Sequence, residues 1–178
     1  MRNSVEPQPS FLYWVIPDVL AGMSMPFLHP ERRMAGGGTL DQFDDELRIL
    51  ARAGIGGVVS LLNIPTDAKL YSQTGFDFIC LPVADGRPPS SAQVTAFVLF
   101  VDACRSLQKA VAVHCEAGCG RTGTMLCAYL IANGLSPEDA INHVRAVEPS
   151  AVETTAKINF LYQLPKMLRE QANTTDSE

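Results

Sequence analysis

Apolar positions along this chain recur at two spacings, every second residue in short runs and every third or fourth residue in longer ones. The short β-branched or aromatic runs predict strands at residues 11–16, 19–25, 57–62, 76–81 and 111–113. The longer spacing predicts helices at 39–53, 91–109, 122–132, 137–147 and 155–169. Leu40, Phe43, Leu47, Leu50 and Ala51 form one helical stripe, with Asp41, Asp44, Asp45 and Glu46 read as a solvated face near its start. Val94, Phe97, Val98, Val101, Cys104 and Leu107 form another.

Punctuation agrees with these boundaries. Pro17 and Pro26 stop the first two strands, and Gly54 stops the first helix. Ser136-Pro137-Glu138-Asp139 places an N-cap, a first-turn proline and acids in the favoured order. Pro165 is expected to bend or end the last helix, and Asn133-Gly134 to close the one before Ser136. Residues 27–38 read as an irregular connection and 67–72 as a helical turn. Strand, helix and strand in alternation imply an α/β fold, a mostly parallel sheet of four or five strands flanked by helices, with 111–113 central. One domain over residues 11–170 is expected, with flexible termini at 1–10 and 171–178.

Composition narrows the setting. Hydrophobic residues at 47% and charged residues at 19% of 178 describe a globular chain. A net charge of −5 argues against bulk binding to nucleic acid or to an anionic membrane. No apolar run approaches the roughly 18 residues that span a bilayer, and residues 1–10 lack an apolar signal core. Cys80, Cys104, Cys115, Cys119 and Cys127 are odd in number and widely spaced, unlike a secreted disulfide framework. The expected setting is the reducing cytoplasm.

Chemistry concentrates at residues 111–124, Val-Ala-Val-His-Cys-Glu-Ala-Gly-Cys-Gly-Arg-Thr-Gly-Thr. A strand, a tight glycine-containing loop and a helix start follow one another. Loop N–H groups and a helix N-terminus make an anion site, and a thiol in that positive field is favoured as the nucleophilic thiolate. Arg121 adds a planar fork of donors matched to two oxygens of a tetrahedral oxyanion. Gly118-x-Gly120-x-x-Gly123 also matches a dinucleotide fingerprint, but only helical patterns follow it, so the needed next strand is missing. A Walker A loop fails for want of Gly-Lys-Ser/Thr. Zinc is disfavoured too, since His114, Cys115 and Cys119 have no cleanly spaced second pair of ligands.

His114-Cys115-x5-Arg121-Thr122-Gly123 resembles the signature of the cysteine-dependent protein tyrosine phosphatase superfamily, and the order of segments from Phe11 to about Pro165 resembles its small atypical dual-specificity members. The resemblance implies an edge ribbon formed by the first two strands, with Trp14 in the core. It makes Cys115 the nucleophile, with the backbone N–H groups of Glu116, Ala117, Gly118, Cys119, Gly120 and Arg121 around the phosphate. Residues 81–89, Leu-Pro-Val-Ala-Asp-Gly-Arg-Pro-Pro, resemble the general-acid loop, with Asp85 as the acid rather than merely part of an Asp-Gly turn. Thr122 would bond the sulfur as it leaves, and His114 would orient the loop.

No metal or cofactor is required by that chemistry. The expected substrate is a phosphorylated protein or peptide, phosphotyrosine above phosphoserine and phosphothreonine. Glu116 and Cys119 stand where lipid-selective relatives carry lysines, which weakens the alternative of a phosphoinositide or RNA 5′-phosphatase. A phosphate-binding adaptor would not need Cys115 and Asp85 together. Cys80, Cys119 and Cys127 are read as small packing residues ahead of redox partners of Cys115.

Overall fold

The computed structural model describes residues 11–26, 40–64, 71 and 73–175. Five strands, β1 (Leu12–Ile16), β2 (Leu20–Met23), β3 (Ile55–Ser60), β4 (Asp77–Cys80) and β5 (Ala110–His114), form one sheet in the order β1-β2-β5-β3-β4. β1 runs antiparallel to β2 at the edge, and every other pairing is parallel. β5 is therefore central, as its apolar run implies. The helices are α1 (Leu40–Arg52), α2 (Ser91–Ser106), α3 (Gly120–Ala132), α4 (Pro137–Val147) and α5 (Thr155–Thr175).

Alternation along the strands divides the core in two. Val111 and Val113 face the larger cluster with α2, α3, α4 and α5, whereas Ala110 and Ala112 face a smaller one with Leu47 and Leu50 of α1. All five β5 residues are buried, so the chain leaving this strand starts from a fixed point. Trp14 is half-buried against the smaller cluster. The sequence expectation for residues 27–38 lies outside the described residues, as do most of 67–72, the termini 1–10 and residues 176–178.

Three boundaries differ from expectation for identifiable reasons. β3 begins two residues early at Ile55, because Gly54 at φ +80 ends α1 and its carbonyl accepts the Ala110 N–H. α2 stops at Ser106, and Leu107 is 65% exposed rather than part of the buried stripe. Gln108 at φ +56 turns the chain there, which delivers Lys109 to Asp77 at 2.6 Å and Ala110 to the sheet. Pro165 does not end α5. Leu161 and Leu164 before it are fully buried, Met167 and Leu168 after it pack on the same core, and Gln171 donates to Ser91 Oγ at 3.0 Å. That packing outweighs the roughly 3 kcal/mol that an interior proline costs, and the expected loose tail from residue 171 is helical to Thr175.

Leu126 on α3 is completely buried, whereas Leu99 on α2 is 65% exposed. Leu126→Ala should cost about 2–5 kcal/mol of unfolding free energy and Leu99→Ala less than about 0.5, measured by urea denaturation. Equal effects would contradict the assignment of the larger cluster as the core.

Candidate active site

The backbone after β5 is organised by where its carbonyls go. The Cys115 carbonyl lies 3.2 Å from His114 Nδ1, which donates to it in the tautomer protonated there. The Glu116 carbonyl accepts from Met25 N–H at 3.0 Å, and the Gly118 carbonyl accepts from the Tyr13 hydroxyl at 2.6 Å. All peptides here are trans, and in a trans peptide the N–H of the next residue points opposite to the carbonyl. With these three carbonyls anchored, the N–H groups of Glu116, Ala117 and Cys119 point away from the carbonyl partners. α3 then begins at Gly120 without a side-chain cap on its N-terminus, so its first-turn donors are available to an anion.

Two glycines make this path possible. Gly118 has φ +83, and a Cβ there would fall 2.6 Å from the Met23 carbonyl carbon and oxygen. Gly22, opposite Tyr13 across β1 and β2, leaves room for the phenol ring to lie over it and reach the loop.

Asp85 arrives from the other side. After β4, Leu81 N–H donates to the Ser60 carbonyl at 2.9 Å and Val83 N–H to the Leu61 carbonyl at 3.0 Å, extending the sheet pairing. Ala84 to Arg87 then makes a turn closed by the Arg87 N–H to Ala84 carbonyl bond at 3.1 Å, with Gly86 at φ +72. So Asp85 does sit in an Asp-Gly turn, and the turn aims it at the loop. Ser90 and Gln93 form a capping box on α2, while Gln93 Nε2 donates to the Pro82 carbonyl at 2.8 Å and ties helix to turn. The Arg121 guanidinium, 11% exposed, donates through Nη1 to the Val83 carbonyl at 3.3 Å and stands 3.5 Å from Asp85 Oδ1 through Nη2. The Asp85 carboxylate itself is 89% exposed.

Cys115, Arg121 and Asp85 line one cavity of about 340 Å³, together with Glu116, Ala117, Gly120, Glu153 and Lys157. Gly118 and Cys119, also expected around a phosphate, are not on that lining. Their carbonyls serve Tyr13 and the Gly123 N–H, the latter at 2.7 Å. Thr122 is fully buried, and its hydroxyl makes no hydrogen bond. The Thr124 hydroxyl donates to the Gly120 carbonyl at 2.7 Å. Tyr13, Tyr71, Glu153 and Lys157 were not singled out from the sequence. The Glu153 and Lys157 pair reads there as an ordinary i, i+4 pair at a helix start, and nothing in its spacing brings it back to residue 120.

Burial sets the electrostatics of the surrounding groups. His114 is fully buried, 3.4 Å from the Tyr71 hydroxyl through Nε2, and desolvation lowers its pKa to about 4 despite the bond to the Cys115 carbonyl. It is a neutral imidazole at pH 7. Burial also pushes the thiols of Cys104, Cys119 and Cys127 up, Cys127 to about 12, with Glu148 raising Cys119 further. None of the five cysteines is in a disulfide. Burial, then the nearby Glu148, raises the Tyr13 phenol, which stays a donor to the loop. Among the described residues no cluster of three or more His, Cys, Asp or Glu is placed to hold a metal, and no helix is long and apolar enough to cross a membrane.

A five-stranded sheet whose central strand delivers a cysteine into an arginine-closed anion loop defines a cysteine-dependent phosphatase architecture. Residues 34–135 match the family described as polymorphic toxin system, DSP-PTPase phosphatase, and the chain belongs to that family. A dual specificity protein phosphatase CDC14C from Symphalangus syndactylus is 31% identical over 142 residues, which cover 79% of this chain and 28% of that protein. The human protein tyrosine phosphatase type IVA 3 is 30% identical over 118 residues, 65% of this chain and 66% of the relative. The crystal structure of Tk-PTP in the active form superposes with a TM-score of 0.71 at 25% identity, covering 88% of this chain and 97% of that one. The chain thus spans less than a third of the CDC14C sequence it matches.

Because the folded pKa of His114 lies below its unfolded value near 6.5, the unfolded chain binds the extra proton between those limits. Stability is then fully present above about pH 6.5 and falls as pH drops toward 4, by about 1.4 kcal/mol per unit. Urea unfolding at pH 7 and pH 4.5 should show this component in the wild type and not in His114→Asn. The same pH dependence in both proteins would assign it to other groups.

Proposed function

We propose that this protein hydrolyses phosphomonoesters through a phosphocysteine intermediate, with phosphorylated proteins as substrates and residues 11–170 as its catalytic domain. The observation that carries the reading is the convergence of Cys115, Arg121 and Asp85 on one cavity. In the first step the Cys115 thiolate forms a bond to phosphorus as the bond to the leaving oxygen breaks. Inward N–H groups of the loop and the Arg121 fork hold the equatorial oxygens. Asp85 gives its proton to the departing oxygen, and its exposure at the cavity mouth suits a group that must meet both substrate and water. In the second step water attacks phosphorus, Asp85 takes a proton back, and the sulfur leaves. The Thr122 hydroxyl, a buried donor without a partner, supplies a hydrogen bond to that sulfur in this scheme.

His114 supports the scheme from beneath, as a neutral ring that donates to the Cys115 carbonyl and faces Tyr71 with its other nitrogen. The step requires no metal in this scheme, because the loop donors and Arg121 supply the charge stabilisation. A thiol nucleophile works in a reducing compartment, which makes the cytoplasm its setting. A purely phosphate-binding adaptor has no use for a thiol and an acid facing one another across the bound group.

Hydrolysis of an aryl phosphate with EDTA present should proceed in the wild type and vanish in Cys115→Ser under reducing conditions. Turnover that survives the substitution would sink the reading. Asp85→Ala should lower turnover of an alkyl phosphate, whose leaving group needs the proton, by about 100- to 10,000-fold. A loss of less than tenfold, with vanadate binding unchanged, would remove Asp85 from the acid role.

A further inference from the structure

Lys157, in the first turn of α5, is 1% exposed, yet it lines the cavity that holds Cys115 and Arg121. An ammonium has three donors, and burying one is costly unless it is paired. Its side-chain partner among the described residues is one oxygen of Glu153 at 3.5 Å, a long contact, and the Glu153 carboxylate is itself 52% exposed. Both groups lie over Gly120. A Cβ at that glycine would fall 2.6 Å from Lys157 Nζ and 2.7 Å from Glu153 Oε2.

The segment bearing the pair is held firmly. Arg145 donates from Nε to the Ala151 carbonyl at 3.1 Å and from Nη2 to the Val152 carbonyl at 3.0 Å, and Ala151 packs against Gly123 of α3. Lys157 is therefore a fixed cation beside the anion loop, while its partner is a half-exposed carboxylate free to swing into solvent.

The scissile phosphate already has its donors in the loop and in Arg121. At about 30 Å³ per water, a cavity of about 340 Å³ holds roughly ten waters, which leaves room beside a phosphate. We infer that Lys157 is a specificity-determining residue that exchanges Glu153 for a carboxylate of the substrate, so that the enzyme selects phosphopeptides with an acidic side chain beside the phosphorylated residue. This rests on the phosphatase reading above. The exchange is like for like, one carboxylate for another. With Asp85, Glu116 and Glu153 against two cations on the lining, it suits a single added negative charge better than a second phosphate.

The test compares kcat/KM for two phosphotyrosine peptides that differ only in carrying Glu or Gln on both sides of the phosphotyrosine. The wild type should prefer the Glu peptide by about tenfold, the scale of one charge-assisted hydrogen bond. Lys157→Met should bring that ratio close to one, and Glu153→Gln, at an exposed site, should raise it. A wild-type ratio near one, or a ratio unchanged in Lys157→Met, would overturn the inference. So would a preference confined to an inositol bisphosphate over its monophosphate, which would give Lys157 to a second phosphate instead. Cys115-dependent turnover of a plain aryl phosphate is measured in the same preparation, so loss of the phosphatase reading is distinguished from loss of the Lys157 assignment alone.

Discussion

The site depends on the outward anchoring of three carbonyls in the loop that follows Cys115. Left alone, a short loop satisfies its own donors in a turn or exposes them to water. Here the Tyr13 hydroxyl, the Met25 N–H and His114 take the carbonyls, and the peptide plane points each adjoining N–H away from that partner. Two of the three anchors belong to the β1–β2 ribbon and its exit. The edge ribbon thereby helps to hold the loop beside the cavity, although none of its residues lines that cavity. Pre-set donors cost no reorganisation when charge develops, which is the main physical advantage of such a loop in phosphoryl transfer.

Charge around the cavity is close to balanced. Arg121 and Lys157 face Asp85, Glu116 and Glu153. The two cations are shielded and fixed, whereas the Asp85 and Glu153 carboxylates are largely solvated. Coulombic interactions count for most where water is excluded, so the positive groups dominate inside and the negative ones act at the mouth. The acidic chain as a whole, at −5, thus keeps a local anion site without becoming a general anion binder. The thiols of Cys119 and Cys127 are favoured in their protonated form by burial, which would make them poor nucleophiles toward an oxidised Cys115 sulfur at neutral pH.

Most elements were legible because their signals are local. β5 reads as a strand from an apolar run, α4 from Ser136 and Pro137, and the anion loop from glycines and an arginine at fixed spacing. The departures came where packing overrode a local preference. Pro165 stays within α5 because buried residues on both sides hold the helix to the core. Leu107 fell off its stripe because a left-handed Gln108 was needed to bring Lys109 to Asp77. Lys157 carries no local signal, because an i, i+4 Glu and Lys at a helix start is ordinary on any surface. Only the fold of the 148–154 segment carries it over Gly120.

By itself the sequence determined the α/β class, from the alternation of strand and helix patterns, and the cysteine and arginine of the loop after β5 together with the Asp-Gly turn after β4, since each of these is encoded within a dozen contiguous residues. Tertiary structure decided which partners take the loop carbonyls, that Asp85 meets Arg121, and that Tyr13, Glu153 and Lys157 belong to the same neighbourhood. The hydroxyl of residue 13 and the carbonyl of residue 118 are 105 positions apart and 2.6 Å distant. No local spacing announces such a contact. It exists only once β1, β2 and β5 have paired in register and a glycine on β2 has left space for the ring between them.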